Sequence, residues 1–201
     1  MNKYKLLTPG PLTTTETVKE AMLTDHCTWD DDYKAITQSI RKKLIKIANV
    51  SEENYTAVLL QGSGTYGVES VLTSSVGSGK VLLITNGAYG KRMVQICEYA
   101  GISYLEYNVE YAEIPSSEMV EEILNSNGDI THIAMVHCET TSGILNNIES
   151  IAYTAKAYNK TFIVDAMSSF GGIEIPVEES GIDFLISSAN KCIQGVPGFT
   201  F

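Results

Sequence analysis

A lysine and an aspartate that follow apolar runs are the residues best suited to chemistry. Lys191 lies just beyond the apolar run 184–186, and Asp165 directly follows the run 162–164. A lysine amine with its ordinary pKa of about 10.4 is a poor nucleophile at neutral pH, but desolvation or a covalent imine removes this handicap. A carboxylate at the end of a buried strand needs a partner. The two residues suggest imine chemistry beside a negative charge; a surface lysine and a helix-capping aspartate are the simpler interpretations.

The loop 62–67 matches the pattern G-x-G-x-x-G between a predicted strand and a predicted helix. Dinucleotide-binding folds place an acidic residue about 20 positions after this loop. Since no Asp or Glu occurs between Glu69 and Glu98, a dinucleotide site is disfavoured. A phosphate cradle stays open, because glycines allow close approach, a helix start offers free N–H groups, and Ser63 and Thr65 add hydroxyls. A capped tight turn without a ligand is the alternative.

Further side chains are placed to hold an aromatic ring beside Asp165. A protonated pyridine nitrogen would satisfy this carboxylate, which would help the ring to act as an electron sink. Tyr89 could stack on one face, and Met167 could pack on the other if its strand continues past Asp165. Thr140 could donate to a ring hydroxyl. Core packing explains Tyr89 and Met167 equally well, and His137 is expected to be a core histidine.

The elements that must position these residues alternate between strands and helices. Strands without polar alternation, separated by helices, predict a parallel sheet covered on both faces, with ligands beyond the carboxyl ends of the strands. The predicted fold is therefore a three-layer α/β/α sandwich with a mostly parallel sheet. The predicted strands are residues 56–61, 81–85, 103–107, 130–136, 161–164 and 184–186, and the predicted helices are 17–23, 33–48, 66–75, 89–100, 117–125 and 148–158.

Composition excludes several classes of partner. The formal net charge of −10 disfavours nucleic acid and anionic membranes, which need a basic face, but permits a small anionic ligand. None of the four cysteines forms a C-x-x-C pair, so we expect no metal site and no thioredoxin motif. We see no signal-peptide pattern and no apolar run near the roughly 18 residues of a membrane span. A cytoplasmic enzyme with reduced thiols is expected.

Taken together, these residues resemble the class V aminotransferases of the fold-type I pyridoxal-phosphate superfamily. Within that family, the chain is most similar to the group that transfers the amino group of 2-aminoethylphosphonate to pyruvate, and residues 27–33 are the main support for this narrower resemblance. The likeness covers essentially all of the chain. The segments that carry it are residues 7–12, 27–33, 61–69, 137–143, 164–172 and 188–192.

The resemblance implies pyridoxal 5′-phosphate as the cofactor and gives the candidate residues their roles. Lys191 matches the lysine that forms the Schiff base and then moves the substrate proton, and Asp165 matches the aspartate under the pyridine nitrogen. The other matches are the phosphate loop at Ser63, Gly64 and Thr65, the stacking aromatic Tyr89, the ring-hydroxyl contact Thr140, and Asn190, which stands where a polar side chain reaches the phosphate. Met167 joins this set as the packing residue proposed above.

The resemblance also implies a homodimer and a second, C-terminal domain. We therefore expect an N-terminal arm at residues 1–15 and a cofactor-binding large domain at residues 16–201 that is incomplete at its C-terminal end. The expected products are phosphonoacetaldehyde and L-alanine, as in phosphonate catabolism, and this segment alone is expected to turn over poorly.

Three alternatives stay open. The first is a class V transaminase that uses alanine, serine or glyoxylate, because such enzymes share the cofactor residues. The second is an inactive cofactor-binding fragment. The third, a cysteine desulfurase, is disfavoured because it would carry a histidine where Asn190 stands.

Overall fold

The computed structural model describes residues 4–201 and is built around one mostly parallel sheet. The strands are β1 Leu60–Gln61, β2 Lys80–Thr85, β3 Ser103–Asn108, β4 Ile130–Val136, β5 Cys138–Glu139, β6 Ile144–Leu145, β7 Thr161–Asp165, β8 Phe184–Ile186 and β9 Phe199–Thr200. The helices are α1 Glu16–Ala21, α2 Asp31–Ala48, α3 Gly64–Ser75, α4 Ala88–Ala100, α5 Ser117–Ser126, α6 Ile148–Ala157 and α7 Val177–Ser180.

Five strands form the central sheet in the order β3-β2-β4-β7-β8, and every neighbouring pair is parallel. The backbone of Ser187, just past β8, exchanges hydrogen bonds of 2.9 and 2.8 Å with Phe201. Strand β9 pairs antiparallel with β1. Through these pairings, β9 and then β1 continue the hydrogen bonding beyond β8 as antiparallel neighbours. The loop after β1 therefore lies at the same edge of the sheet as the ends of β7 and β8.

Helices cover both faces of the sheet, and the side chains of β2 show why. Val81 and Leu83 point into a core formed with α3 and α4, whereas Leu82 and Ile84 point into a core formed with α2, α5 and α6. Alternate strand residues face opposite sides of a sheet, so an uninterrupted apolar run needs a cover on each side. Burying each such side chain contributes roughly 1.5–3 kcal/mol. The predicted three-layer α/β/α sandwich is confirmed.

Local signals explain where several helices begin and end. Ser116 and Asn147 cap α5 and α6 by accepting hydrogen bonds of 3.2 Å from the backbone N–H groups of Met119 and Ser150. Helix α4 ends at Gly101, whose φ of +68° is the left-handed conformation that favours glycine at a helix end. These local signals fix where α5 and α6 begin and where α4 ends.

The predicted strand at residues 56–61 is mostly wrong, because only Leu60–Gln61 joins a ladder. Arg41 of α2 holds the preceding segment, with Nε donating to the carbonyl of Ala57 and Nη2 to the hydroxyl of Thr56, both at 2.8 Å. The predicted helix at 17–23 is Glu16–Ala21, since Thr15 caps it one residue earlier. The short pair β5–β6 and the helix α7 were not predicted.

Residues 4–15 contain no helix or strand and are mostly exposed. Residues 1–3 of the expected arm lie outside the described part of the chain, and the proposed boundary between arm and domain stays a prediction. Among residues 4–201, none of the helices is long and apolar enough to cross a membrane.

Candidate active site

A cavity of about 220 Å³ opens at the edge of the sheet where β7 and β8 end. Its lining comes from six separate segments of the chain, most of them just past a strand or at a helix start. All nine predicted site residues line it, namely Ser63, Gly64, Thr65, Tyr89, Thr140, Asp165, Met167, Asn190 and Lys191. The parallel topology therefore brings together residues that are up to 128 positions apart, counted from Ser63 to Lys191.

Asp165 is the last residue of β7, and its carboxylate lies against the cavity with 4% of the residue exposed. Among the described residues, it accepts one hydrogen bond, from the backbone N–H of Met167 to Oδ1 at 2.9 Å. Burial raises the pKa of Asp165, the Met167 N–H and the Lys191 ammonium lower it, and the Glu139 charge raises it, so that the net pKa is about 6. A cationic N–H in the cavity would complete this site.

Lys191 lies in the bend after β8, and its Nζ donates to the carbonyl oxygen of Gly10 at 3.3 Å. A Cβ atom at Gly10 would lie 2.5 Å from Lys191 Cδ and 2.6 Å from the carbonyl oxygen of Asn190. The φ of Gly10 is +145°, a conformation that L side chains rarely adopt. Glycine at position 10 therefore lets the N-terminal segment lie directly against the candidate nucleophile.

The glycine loop delivers the start of α3 to the cavity. Ser63 is the N-cap residue of this helix, yet its side chain does not cap a backbone N–H. Gly62 has a φ of +151°, and a Cβ atom at Gly64 would lie 2.6 Å from the Met167 sulfur. A bare helix start flanked by the hydroxyls of Ser63 and Thr65 is a cradle for a phosphate group.

Tyr89 and Thr140 contribute two further parts of the cavity wall. Tyr89 lies in the first turn of α4 and is 39% exposed. Thr140 follows β5, and its hydroxyl is hydrogen-bonded to that of Ser168, in the turn after Asp165. A planar ring between the glycine loop and Asp165 would meet an aromatic face on Tyr89 and a hydroxyl on Thr140.

Met167 reaches the cavity by a different route from the one that the strand pattern suggested. Strand β7 ends at Asp165, and Met167 lies in a turn, so the prediction that both residues share a strand face is wrong. The hydrogen bond from its N–H to Asp165 Oδ1 holds this turn, and its thioether packs beneath Gly64. The turn bends because the aspartate accepts locally from its own backbone, as short acidic side chains often do.

His137 is a core residue, as expected. It is 5% exposed, and its Nδ1 lies 2.9 Å from the Ser169 hydroxyl. Burial lowers the pKa of His137 to about 4, so the ring is neutral at pH 7. It does not line the cavity.

Among the lining residues that were not predicted as site residues, three carry a charged or hydroxyl side chain. Arg92 follows Tyr89 by three positions, a spacing that puts both on one side of α4, and this periodicity was the available signal. Ser168 and Ser188 also line the cavity. Ser188 donates to the amide oxygen of Asn190 at 2.9 Å, and no local pattern marks either serine.

The residues present fit pyridoxal phosphate in chemical type. The cavity offers an amine for its aldehyde, a buried carboxylate with one backbone donor for its ring nitrogen, and a bare helix start for its phosphate. The Met167 thioether can pack against the glycine loop because Gly64 lacks a Cβ atom. The side chains that line the cavity therefore match the chemical groups of this cofactor.

Comparison with known proteins places this geometry in a family. The chain is 59% identical to the 2-aminoethylphosphonate–pyruvate transaminase of Lysinibacillus sphaericus, over all of this chain and 55% of that protein. It is 55% identical to the bifunctional phosphonoacetaldehyde hydrolase/aminoethylphosphonate transaminase of Clostridioides difficile, over all of this chain and 32% of that protein. The chain thus spans about half, or less, of the length of these curated relatives.

A solved structure supports the same assignment at the level of the fold. The pyridoxamine–pyruvate aminotransferase of Mesorhizobium loti superposes with a TM-score of 0.88 at 29% identity, covering 96% of this chain and 49% of that one. The family model described as aminotransferase class-V matches residues 24–201. The chain therefore belongs to the class V aminotransferase family.

Proposed function

We propose that the protein is a pyridoxal-phosphate-dependent transaminase whose cofactor is held by the cavity at the end of β7. Lys191 would hold the cofactor covalently, and Asp165 would pair with its ring nitrogen. The observation that carries this proposal is the meeting, in one cavity, of a lysine amine, a buried carboxylate with a single backbone donor, and a bare helix start.

The remaining candidate residues have distinct tasks. Ser63, Gly64 and Thr65 would bind the phosphate, with Asn190 beside it. Tyr89 and Met167 would pack on the two faces of the ring and exclude water, while Thr140 would donate to its hydroxyl.

When bound, pyridoxal phosphate supplies an electron-withdrawing ring that stabilises negative charge on the carbon bearing the amino group. The ionised Asp165 keeps the ring nitrogen protonated. The Lys191 amine removes the proton from the substrate carbon and returns it as a general acid. Because one amino group is stored between two half-reactions, ping-pong kinetics follow.

The proposed donor is 2-aminoethylphosphonate and the proposed acceptor is pyruvate. The amino group moves to pyruvate to give L-alanine, and the donor becomes phosphonoacetaldehyde. The two relatives described above, at 59% and 55% identity, are named for this donor. A donor–acceptor pair of the alanine, serine or glyoxylate type is the competing function, because it requires the same cofactor residues.

The proposed setting is a homodimer in the cytoplasm. Met22, Leu23 and Trp29 are each more than half exposed, and a second subunit would cover such apolar side chains. All four cysteines are free, which suits a reducing compartment.

The test is to supply the chain with pyridoxal phosphate, 2-aminoethylphosphonate and pyruvate, and to measure L-alanine and phosphonoacetaldehyde in equal amounts. Parallel reactions with alanine or serine as donor and glyoxylate as acceptor identify the competing function. Transfer from these donors without transfer from 2-aminoethylphosphonate would overturn the phosphonate proposal. Cofactor binding without transfer from any donor would identify a cofactor-binding fragment instead.

A further inference from the structure

Glu139 is a fully buried carboxylate that has no assigned role, and no cationic side chain pairs with it among the described residues. Its Oε2 accepts from the backbone N–H groups of Tyr89 at 3.1 Å and Gly90 at 3.2 Å. Its Oε1 accepts from the N–H and the hydroxyl of Thr141 at 3.2 and 2.6 Å. Four donors, two of them in the first turn of α4, replace the water that the carboxylate loses on burial.

These hydrogen bonds join two separate walls of the cavity. One wall is the first turn of α4, which carries Tyr89. The other is the segment after β5, where Thr140 lies between Glu139 and Thr141 and bonds Ser168. The two oxygens of this carboxylate thus hold the first turn of α4 against the segment after β5, beside a weaker link in which the Thr141 hydroxyl accepts from the N–H of Ala88 at 3.3 Å.

The backbone near Glu139 is closely packed, which makes the link rigid. A Cβ atom at Gly87, the residue before α4, would overlap Cγ and Cδ of Glu139. Its charge also lies near enough to Asp165 to raise the pKa of that carboxyl. A change at position 139 therefore reaches three parts of the cavity at once, without Glu139 itself lining it.

We propose that Glu139 is a positioning residue of this site: it fixes the first turn of α4 against the segment after β5, so that Tyr89 and Thr140 keep fixed positions relative to one another before the cofactor arrives. The inference rests on the proposed cofactor, since Tyr89 and Thr140 are the residues proposed to contact its ring. Glu139 acts through Tyr89 and Thr140 and touches no reacting atom.

The decisive variant is Glu139→Gln, which keeps the shape but turns one acceptor into an NH₂ group facing backbone N–H donors. We expect the dissociation constant for pyridoxal phosphate to rise about tenfold or more, as for the loss of a buried charge-assisted hydrogen bond. We also expect weaker induced circular dichroism of the bound cofactor and faster amide exchange at Tyr89 and Gly90. Glu122→Gln is the control, because Glu122 is exposed and loses the same charge.

Thr141→Val serves if Glu139→Gln does not fold, because it removes an exposed hydroxyl that donates to Glu139 and accepts from the N–H of Ala88. For this variant we expect the dissociation constant for pyridoxal phosphate to rise about two- to fivefold. The proposal is overturned if either folded variant is less heat-stable but binds cofactor with wild-type affinity and dichroism. If the wild-type chain binds no cofactor, the proposed function fails instead, and unchanged amide exchange at Tyr89 and Gly90 in Glu139→Gln then overturns the anchoring role separately.

Discussion

Lys191 Nζ and the carbonyl oxygen of Gly10 lie 3.3 Å apart, although 181 positions separate the two residues in the chain. The N-terminal segment therefore forms part of the cavity's surroundings and is more than a leader to the first helix. Since Gly10 touches both Lys191 and the backbone of Asn190, its backbone helps to place the candidate nucleophile.

Gly10→Ala is expected to weaken pyridoxal phosphate binding about tenfold, because its Cβ atom must displace the Lys191 stem or the backbone of Asn190. Titration of the cofactor absorbance measures the change. Gly128→Ala is the matched control, since a Cβ atom there meets nothing within 4 Å. Equal affinities for the two variants would show that the arm does not position Lys191.

Asp165→Asn is expected to slow transamination about 100-fold or more, because a neutral amide does not keep the ring nitrogen protonated. Initial rates at saturating cofactor measure the effect. A rate within threefold of the wild-type rate would contradict the role given to Asp165.

The same substitution is expected to stabilise the cofactor-free chain above pH 6. The raised pKa of Asp165, about 6 when folded against 3.8 as the ordinary value, means that the folded state binds this proton more tightly than the unfolded state. The contribution of Asp165 to the free energy of unfolding is therefore fully present below pH 4 and is lost as the pH rises through 6. Urea unfolding at pH 7 should show Asp165→Asn to be more stable by about 1–3 kcal/mol, with little difference at pH 4. A less stable variant at pH 7 would contradict this sign.

His137 is expected to make the folded chain less stable as the pH falls, which is the opposite of the pH dependence expected from Asp165. Its pKa is lowered to about 4 by burial, so between pH 6.5 and 4 the unfolded state takes up the proton first and stability falls as the pH falls. His137→Asn should remove up to about 1.4 kcal/mol per pH unit of this slope. Unfolding free energies at pH 4, 5, 6 and 7 test this, with the exposed His26→Asn as control. If the unfolding free energies of His137→Asn and wild type change with pH in parallel, the lowered pKa of His137 is contradicted.

The strands buried on both faces could be predicted from the sequence, because their apolar runs have one stable environment. Ile130–Val136, which is mostly buried, has the predicted bounds. Phe184–Ile186 also has them, although Phe184 is exposed. Residues 56–59 could not be placed in this way, since the hydrogen bonds that hold this segment come from Arg41 of α2. An apolar run does not reveal whether its backbone will form hydrogen bonds with another strand or with a side chain.

The cavity residues were predictable for a related reason. Each follows a strand, and parallel strands end at one edge. Glu139 was missed because a glutamate in a short polar segment resembles a surface residue, and its donors Tyr89 and Gly90 lie about 50 positions away. Met167 was placed correctly for a wrong reason, since a turn and not a strand directs it.

The central claim is that Lys191 binds pyridoxal phosphate covalently in a cavity completed by Asp165. The most direct test is the absorbance spectrum of the chain with the cofactor, followed by borohydride reduction and peptide mass mapping. Lys191→Ala is compared with Lys43→Ala, which removes an exposed lysine of α2. We predict a visible band and a trapped adduct on Lys191 in the wild-type and Lys43→Ala chains, and neither in Lys191→Ala. The same spectrum in all three chains, or an adduct on another lysine, would contradict the account.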